Sequence, residues 1–163
     1  MIQDMLVKLY ELPDCSALAA KLEVDGYTIR RPLAAEKSIV LGWVRKHFGE
    51  GWESETDVGF SYQPVACFVA LKDEKVVGFS VYDAAYRNFF GPTGVEESFR
   101  GKGIGKILLI RALEAMRDLG YAYAIIGGVG PAKFYEKAVG ATLIKGSDPG
   151  IYKGILSDIP IDH

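Results

Sequence analysis

The feature that most constrains this chain is a glycine-rich run, Arg100-Gly101-Lys102-Gly103-Ile104-Gly105, set directly before a long apolar-periodic segment. Glycines at 101, 103 and 105 strip side chains from a short loop, so a ligand can approach the backbone closely. Behind it, Ile104, Leu108, Ala112, Ala115, Met116 and Leu119 recur at helical spacing, while Arg111, Glu114, Arg117 and Asp118 face the other way. Gly120 stands where a helix C-cap is expected. A glycine loop opening a helix offers free N–H groups and the positive end of the helix dipole, which together suit a phosphate. Arg100, Lys102 and Lys106 add cationic charge around the same point. The run reads as a phosphate cradle.

Spacing excludes two common cradles. The dinucleotide fingerprint needs glycine at its first, third and sixth positions, and counting from Gly101 the sixth is Lys106. The strand Tyr121 to Ile126 that follows also carries no acidic residue to hold a ribose. The nucleotide-triphosphate loop fails too, because Gly105-Lys106 is preceded at the required distance by Arg100 and followed by Ile107.

What fits is Arg/Gln-x-x-Gly-x-Gly/Ala, met by Arg100, Gly103 and Gly105. This resembles the acetyl-CoA pyrophosphate loop of the GNAT acetyltransferase superfamily. The likeness extends to Val95, five residues before Arg100, and to Pro131-Ala132-Lys133-Phe134-Tyr135-Glu136-Lys137, which is similar to the family's last helix. It spans roughly Tyr27 to the C-terminus. The fold it implies is α+β in three layers. A mixed, mostly antiparallel sheet of about six or seven strands is flanked by helices and splayed between the fourth and fifth core strands. The resemblance assigns Arg100, Gly101, Lys102, Gly103, Ile104, Gly105 and Lys106 to the pyrophosphate, and Thr93 and Val95 to the pantetheine arm. Acetyl-CoA is then a co-substrate, with no metal.

Size and composition set the outer bounds. At 163 residues the chain suits one domain with a sizeable core. A net charge of −2 argues against duplex nucleic acid as a main partner. No apolar run approaches the roughly 20 residues needed to span a bilayer, and no signal-peptide pattern opens the chain. Two cysteines, Cys15 and Cys67, are too few for a disulfide framework, so a reducing cytoplasm is the expected setting. With only His47 and His163, no zinc site is expected.

In chain order, Met5 to Leu12 reads as a strand and Cys15 to Leu22 as a helix. These make residues 1–26 an extension packed on the core, with two roles open: extending the sheet or forming a homodimer contact. Residues 27–163 form the transferase domain. Tyr27 to Leu33 reads as an edge strand, because Pro32 cannot donate to a ladder. Ala34 to Phe48 follows as a helix with Ile39, Trp43, Val44 and Phe48 on one face. His47 reads as exposed or packed. Gly49 to Pro64 reads as irregular and carries Trp52, Phe60, Tyr62, Glu50, Glu53, Glu55 and Asp57. The resemblance makes this region a wall over the acceptor, with Trp43, Trp52 and Glu53 as candidates; its acidity would favour a cationic amine. The alternative is an ordinary solvated face.

Ala66 to Leu71 and Val76 to Tyr86 read as an antiparallel pair joined by Lys72-Asp73-Glu74-Lys75, with Cys67 a small core residue. Asn88 to Val95 is an irregular strand, since Gly91, Pro92 and Gly94 interrupt a ladder. Tyr121 to Ile126 is buried, and Pro131 opens the last helix. Ala141 to Lys145 and Ile151 to Leu156 read as a closing strand pair.

Acetyl transfer to a primary amine of a small molecule or peptide requires a neutral amine, a stabilised oxyanion and a proton for the departing sulfur. A main-chain N–H at Val95 answers the second need. The resemblance makes Tyr135 the general acid; helix packing beside Phe134 is its other reading. No base is apparent: the fourth-strand places hold Gly91 and Phe89, which leaves Asp83, the carboxylates of 50–57, or water. Two family features are altered, with Gly128 in place of an asparagine and Gly140-Ala141 one residue late. A CoA-binding regulatory or interaction module without turnover is the alternative from another class.

Overall fold

The computed structural model describes residues 2–156. Within them seven strands form one sheet: β1 (Met5–Lys8), β2 (Tyr27–Arg30), β3 (Cys67–Lys72), β4 (Lys75–Tyr82), β5 (Phe89–Val95), β6 (Tyr123–Ile126) and β7 (Thr142–Leu143). Their order is β2-β3-β4-β5-β6-β1-β7, and every neighbouring pair is antiparallel except β5 with β6. Five helices cover the faces: α1 (Ser16–Val24), α2 (Lys37–Phe48), α3 (Glu50–Gly59), α4 (Ile104–Asp118) and α5 (Ala132–Val139). Buried residues of α1, α4 and α5, including Leu22, Leu108, Leu113 and Tyr135, form the larger core on one face. Val40 and Val44 of α2 meet Cys67, Val69, Phe79 and Val81 on the other. This is the expected three-layer arrangement.

The splay follows from strand pairing. β5 and β6 meet only at Phe89 with Ile125 and Phe90 with Ile126. Beyond Phe90 the two strands separate, so Gly91 to Val95 keeps one partner, β4, and leaves its other edge to a cleft.

Three local expectations are corrected. Gly49 to Pro64 is not irregular, because α3 occupies Glu50–Gly59. Its inward residues, Thr56 and Gly59, are not apolar markers, so no hydrophobic stripe shows in the sequence. A Cβ at Gly59 would meet Val81 Cγ1 at 3.0 Å and the Ala66 carbonyl oxygen at 3.1 Å, so the glycine is what lets α3 lie close to the sheet. The strand at Met5 to Leu12 stops at Lys8, where Leu9–Glu11 tightens into a 3-10 turn.

The closing strand pair is replaced. Only Thr142–Leu143 is a strand, and Gly150–Tyr152 forms a 3-10 turn. The place beside β6 is taken by β1, whose Met5 and Val7 are completely buried. Asp4 fixes this insertion: its Oδ1 accepts the Gly128 N–H at 3.0 Å, its own N–H donates to Ser147 Oγ at 2.8 Å, and its carbonyl accepts the Ile144 N–H at 2.9 Å. His163 lies outside the described residues.

At the sheet edge, Arg30 donates twice to Glu36, at 2.8 Å each, and the Leu33 N–H donates to the same carboxylate at 2.7 Å. The guanidinium first, and the Leu33 amide second, pull the Glu36 carboxyl from an ordinary 4.5 down to about 2. A depressed folded-state pKa adds stability above about 4.5 that is lost as pH falls towards 2. Glu36→Gln should therefore lower Tm by a few degrees at pH 7, modest because the pair is partly exposed. The gap to the wild type should close between about pH 4.5 and 2. Thermal melts across that range check it.

Candidate functional site

The cleft left by the parting of β5 and β6 has a volume of about 610 Å³. Its walls come from five places: Thr93 to Val95 of β5, Phe99 to Lys106 apart from Lys102, Gly130-Pro131, Phe134 and Tyr135 of α5, and Phe48 with Trp52 at the α2–α3 junction.

α4 starts at Ile104, and the first bond along its axis runs from the Ile107 N–H to the Gly103 carbonyl, 3.1 Å. Among the described residues, no protein acceptor takes the N–H of residues 101 to 106. That is the set a helix N-terminus leaves over, extended forward by the loop. Arg100 donates from Nε to the Val95 carbonyl at 3.0 Å and ties the loop to the end of β5. Lys106 lines the cleft with it; exposed Lys102 does not.

The three glycines do different work. A Cβ on Gly105 would sit 3.8 Å from Val95 Cγ2 and 3.9 Å from Phe134 Cζ, so this position faces the cleft. Gly101, at φ 82°, faces open space. Gly103, at φ 89°, faces the protein: its Cβ would lie 2.7 Å from Leu18 Cδ1 of α1. At Gly103 the missing side chain thus admits α1 against the loop, while its main chain lines the cleft. Gly103→Ala should cost about 1–3 kcal/mol of folding stability, from left-handed backbone strain plus displacement of Leu18. Urea titration of the single mutant and of Gly103→Ala with Leu18→Ala checks this; the pair should recover part of the loss.

Directly after β5, the Glu96 N–H donates to the Val77 carbonyl of β4 at 2.8 Å. Alternation along a strand then turns the Val95 N–H to the opposite side, into the gap. The Val95 carbonyl, bonded by Arg100, points the same way. A backbone donor thus faces the cleft two residues from Thr93, whose hydroxyl donates to the Phe79 carbonyl at 3.0 Å.

Tyr135 is 2% exposed, packed edge-on against Phe134 at 5.0 Å and Phe90 at 6.5 Å. Its hydroxyl has no hydrogen-bond partner among the described residues, and no fully buried side-chain polar atom there lacks one. The oxygen is therefore the part of the ring that opens on the cleft. Burial pushes the phenol above its usual pKa, which keeps it protonated through the neutral range.

Other candidates lie apart. Asp83, 4% exposed and at φ 57°, is not part of the cleft wall. Its carboxylate accepts the Asn88 N–H at 2.8 Å and the Tyr121 hydroxyl at 3.1 Å, which closes the β4–β5 loop. Trp43 lines a separate groove of about 740 Å³ between α2 and the β3–β4 hairpin. Glu53 pairs with Arg45 of α2 at 3.9 Å, as Glu50 does at 2.7 Å, so these carboxylates bind α2 to α3. Trp52 alone of the three acceptor candidates reaches the cleft. Phe48 was legible only as one member of the α2 stripe, yet it lines the cleft beside Trp52. The cleft wall holds no carboxylate and no imidazole among the described residues. Among the described residues no cluster of His, Cys, Asp and Glu is placed to hold a metal, and no helix is long and apolar enough to cross a membrane.

Comparison with known proteins bears on this geometry. No curated protein matches the chain. Among solved structures, a GCN5-related glucosamine N-acetyltransferase region of a fungal multi-domain GH3 β-N-acetylglucosaminidase superposes with a TM-score of 0.72 at 15% identity. That alignment covers 88% of this chain and 20% of the other. A GCN5-related N-acetyltransferase from Sphaerobacter thermophilus gives 0.66 at 19% identity, over 88% of this chain and 48% of that one. The chain thus spans about a fifth and about half of these two relatives, and at such identities the likeness is one of fold. A GNAT family N-acetyltransferase, YhbS from Escherichia coli, solved in complex with CoA, gives 0.51 at 19% identity over 69% of this chain and 67% of its own. The model of the Acetyltransferase (GNAT) family matches residues 34–141, from the start of the α2 region through the loop, Val95 and Tyr135. With more than half of its length inside that match, this chain belongs to the GNAT acetyltransferase family, whose members are acyltransferases.

Proposed function

We propose that this protein moves the acetyl group of acetyl-CoA onto a primary amine of a small molecule or peptide by direct attack, without a metal. The observation that carries the reading is the row of N–H groups at 101–106 with no protein acceptor, opening on the same cleft as the Val95 N–H and the Tyr135 hydroxyl. The row, with Arg100 and Lys106 beside it, holds the diphosphate through main-chain donors and the helix dipole. Thr93 and Val95 take the pantetheine arm along the free edge of β5. As the amine attacks, the Val95 N–H bonds the carbonyl oxygen where charge develops. Tyr135 gives its proton to the departing sulfur as the C–S bond breaks; the attacking nitrogen sheds its extra proton to water, and water returns a proton to the phenolate. The apolar surroundings that raise the phenol's pKa raise that of a thiol as well, so burial keeps the phenol protonated without by itself setting the donor against the sulfur.

Among the described residues the cleft wall offers no carboxylate or imidazole as a base, so the amine enters neutral. Below the pKa of the acceptor, kcat/KM should rise about tenfold per pH unit, following the neutral fraction. A pH profile with a low-pKa and a high-pKa amine checks this; a plateau common to both would expose an enzyme base. The same lack of a base favours a second reading, a CoA-binding module without turnover. Calorimetry with CoA, followed by thiol release from acetyl-CoA across amines, peptides and amino sugars, separates the two. Tight CoA binding with no amine-dependent release selects the module, and no CoA binding at all refutes both. Localisation to the cytoplasm and a homodimer are carried as further parts of this proposal.

A further inference from the structure

We propose that Phe48 closes the acyl end of the cleft and limits the donor to short acyl groups, an inference that rests on the reading of residues 100–106 as the coenzyme A site. Gly94 lies between Thr93 and Val95 on the free edge of β5, where the thioester must pass to reach the Val95 N–H. Its own side-chain position is filled by the Phe48 ring: a Cβ there would lie 2.4 Å from Cζ and 2.8 Å from both Cε atoms. Gly94 is not in a left-handed conformation, so the glycine serves space and not backbone geometry. The ring rests directly on the main chain of β5.

It is also held there. Phe48 stacks on Trp52 with centroids 4.9 Å apart and planes 24° from parallel, and both line the cleft. Behind them Phe79, which has no exposed surface, stands 5.7 Å from Phe48 and 6.1 Å from Trp52. Trp43 adds edge-on contacts to the cluster, 5.8 Å from Phe48 and 5.9 Å from Phe79. Aromatic packing of this density leaves the ring little room to yield. An acetyl group ends short of it, whereas each further methylene must displace the stack. The occupant excluded by Phe48 is an acyl tail, because the ring stands over the backbone one residue from the oxyanion donor.

The test measures binding of CoA, acetyl-CoA, butyryl-CoA and hexanoyl-CoA by calorimetry, which needs no acceptor. The wild type should bind hexanoyl-CoA at least tenfold more weakly than acetyl-CoA. Phe48→Ala should bring that ratio to about one and leave the affinity for CoA itself within about twofold. Phe48→Leu, which keeps a hydrophobic core contact, should give an intermediate ratio, and it decides the matter if the alanine variant unfolds. Equal affinities across the series in the wild type, or an unchanged ratio in the folded variants, overturn the gate while leaving the coenzyme site intact. Failure of CoA itself to bind overturns the gate together with the site on which it rests.

Discussion

Tyr135→Phe is expected to reduce kcat by about 100-fold or more, the range for loss of a general acid, and to leave the dissociation constant of acetyl-CoA within about twofold. The substitution removes one oxygen. That oxygen has no partner among the described residues, so no internal hydrogen bond is broken and no buried group is orphaned. Packing against Phe134 and Phe90 involves the ring, which stays. A stability change is therefore not expected, and one clear outcome remains: rate without affinity. The measurement is steady-state thiol release with a competent amine, beside calorimetry and a thermal melt. An unchanged kcat would remove Tyr135 from the chemistry. A fall in both rate and Tm would mark it as a packing residue.

Gly105→Leu is expected to weaken CoA binding by at least 100-fold, equal to about 2.7 kcal/mol, in a protein that folds normally. Gly105 is the second residue of α4 and does not have the positive φ of Gly101 and Gly103, so a larger residue is tolerated by the backbone. Leucine also propagates a helix better than glycine. Its side chain would project between Val95 and Phe134, across the space that the coenzyme needs. Gly103→Ala is the informative contrast, since it acts on stability through Leu18. Should Gly105→Leu bind CoA like the wild type, the diphosphate lies elsewhere. Calorimetry on folded mutant protein decides this.

Much of the route to the site is local and could be read along the chain. The α4 apolar spacing runs as expected to Met116, which is fully buried, although Leu119 projects into solvent past the helix end. The β3–β4 hairpin follows from two apolar runs around Lys72 to Lys75, and β2 stops at Arg30, short of Pro32. Gly91, Pro92 and Gly94 announced a strand that could not sustain a second ladder, and β5 keeps only β4 along that stretch. Asp83 illustrates the reverse. A carboxylate near a strand end is a reasonable base by position, but its bonds to Asn88 and Tyr121 turn it into a loop clasp.

By itself the sequence determined what depends on neighbours a few residues away: helical period, a left-handed glycine at a cap, a turn between two strands, and free amides where a helix begins. These are set by backbone sterics and short-range hydrogen bonds, which a run of residues carries with it. The tertiary structure decided which distant surfaces meet. It placed β1 between β6 and β7, set Leu18 against Gly103, and laid Phe48 on Gly94. Such pairings depend on whether two surfaces fit once the core is assembled, and the contact at Gly94 or Gly103 is permitted by a missing side chain, which leaves no pattern to read.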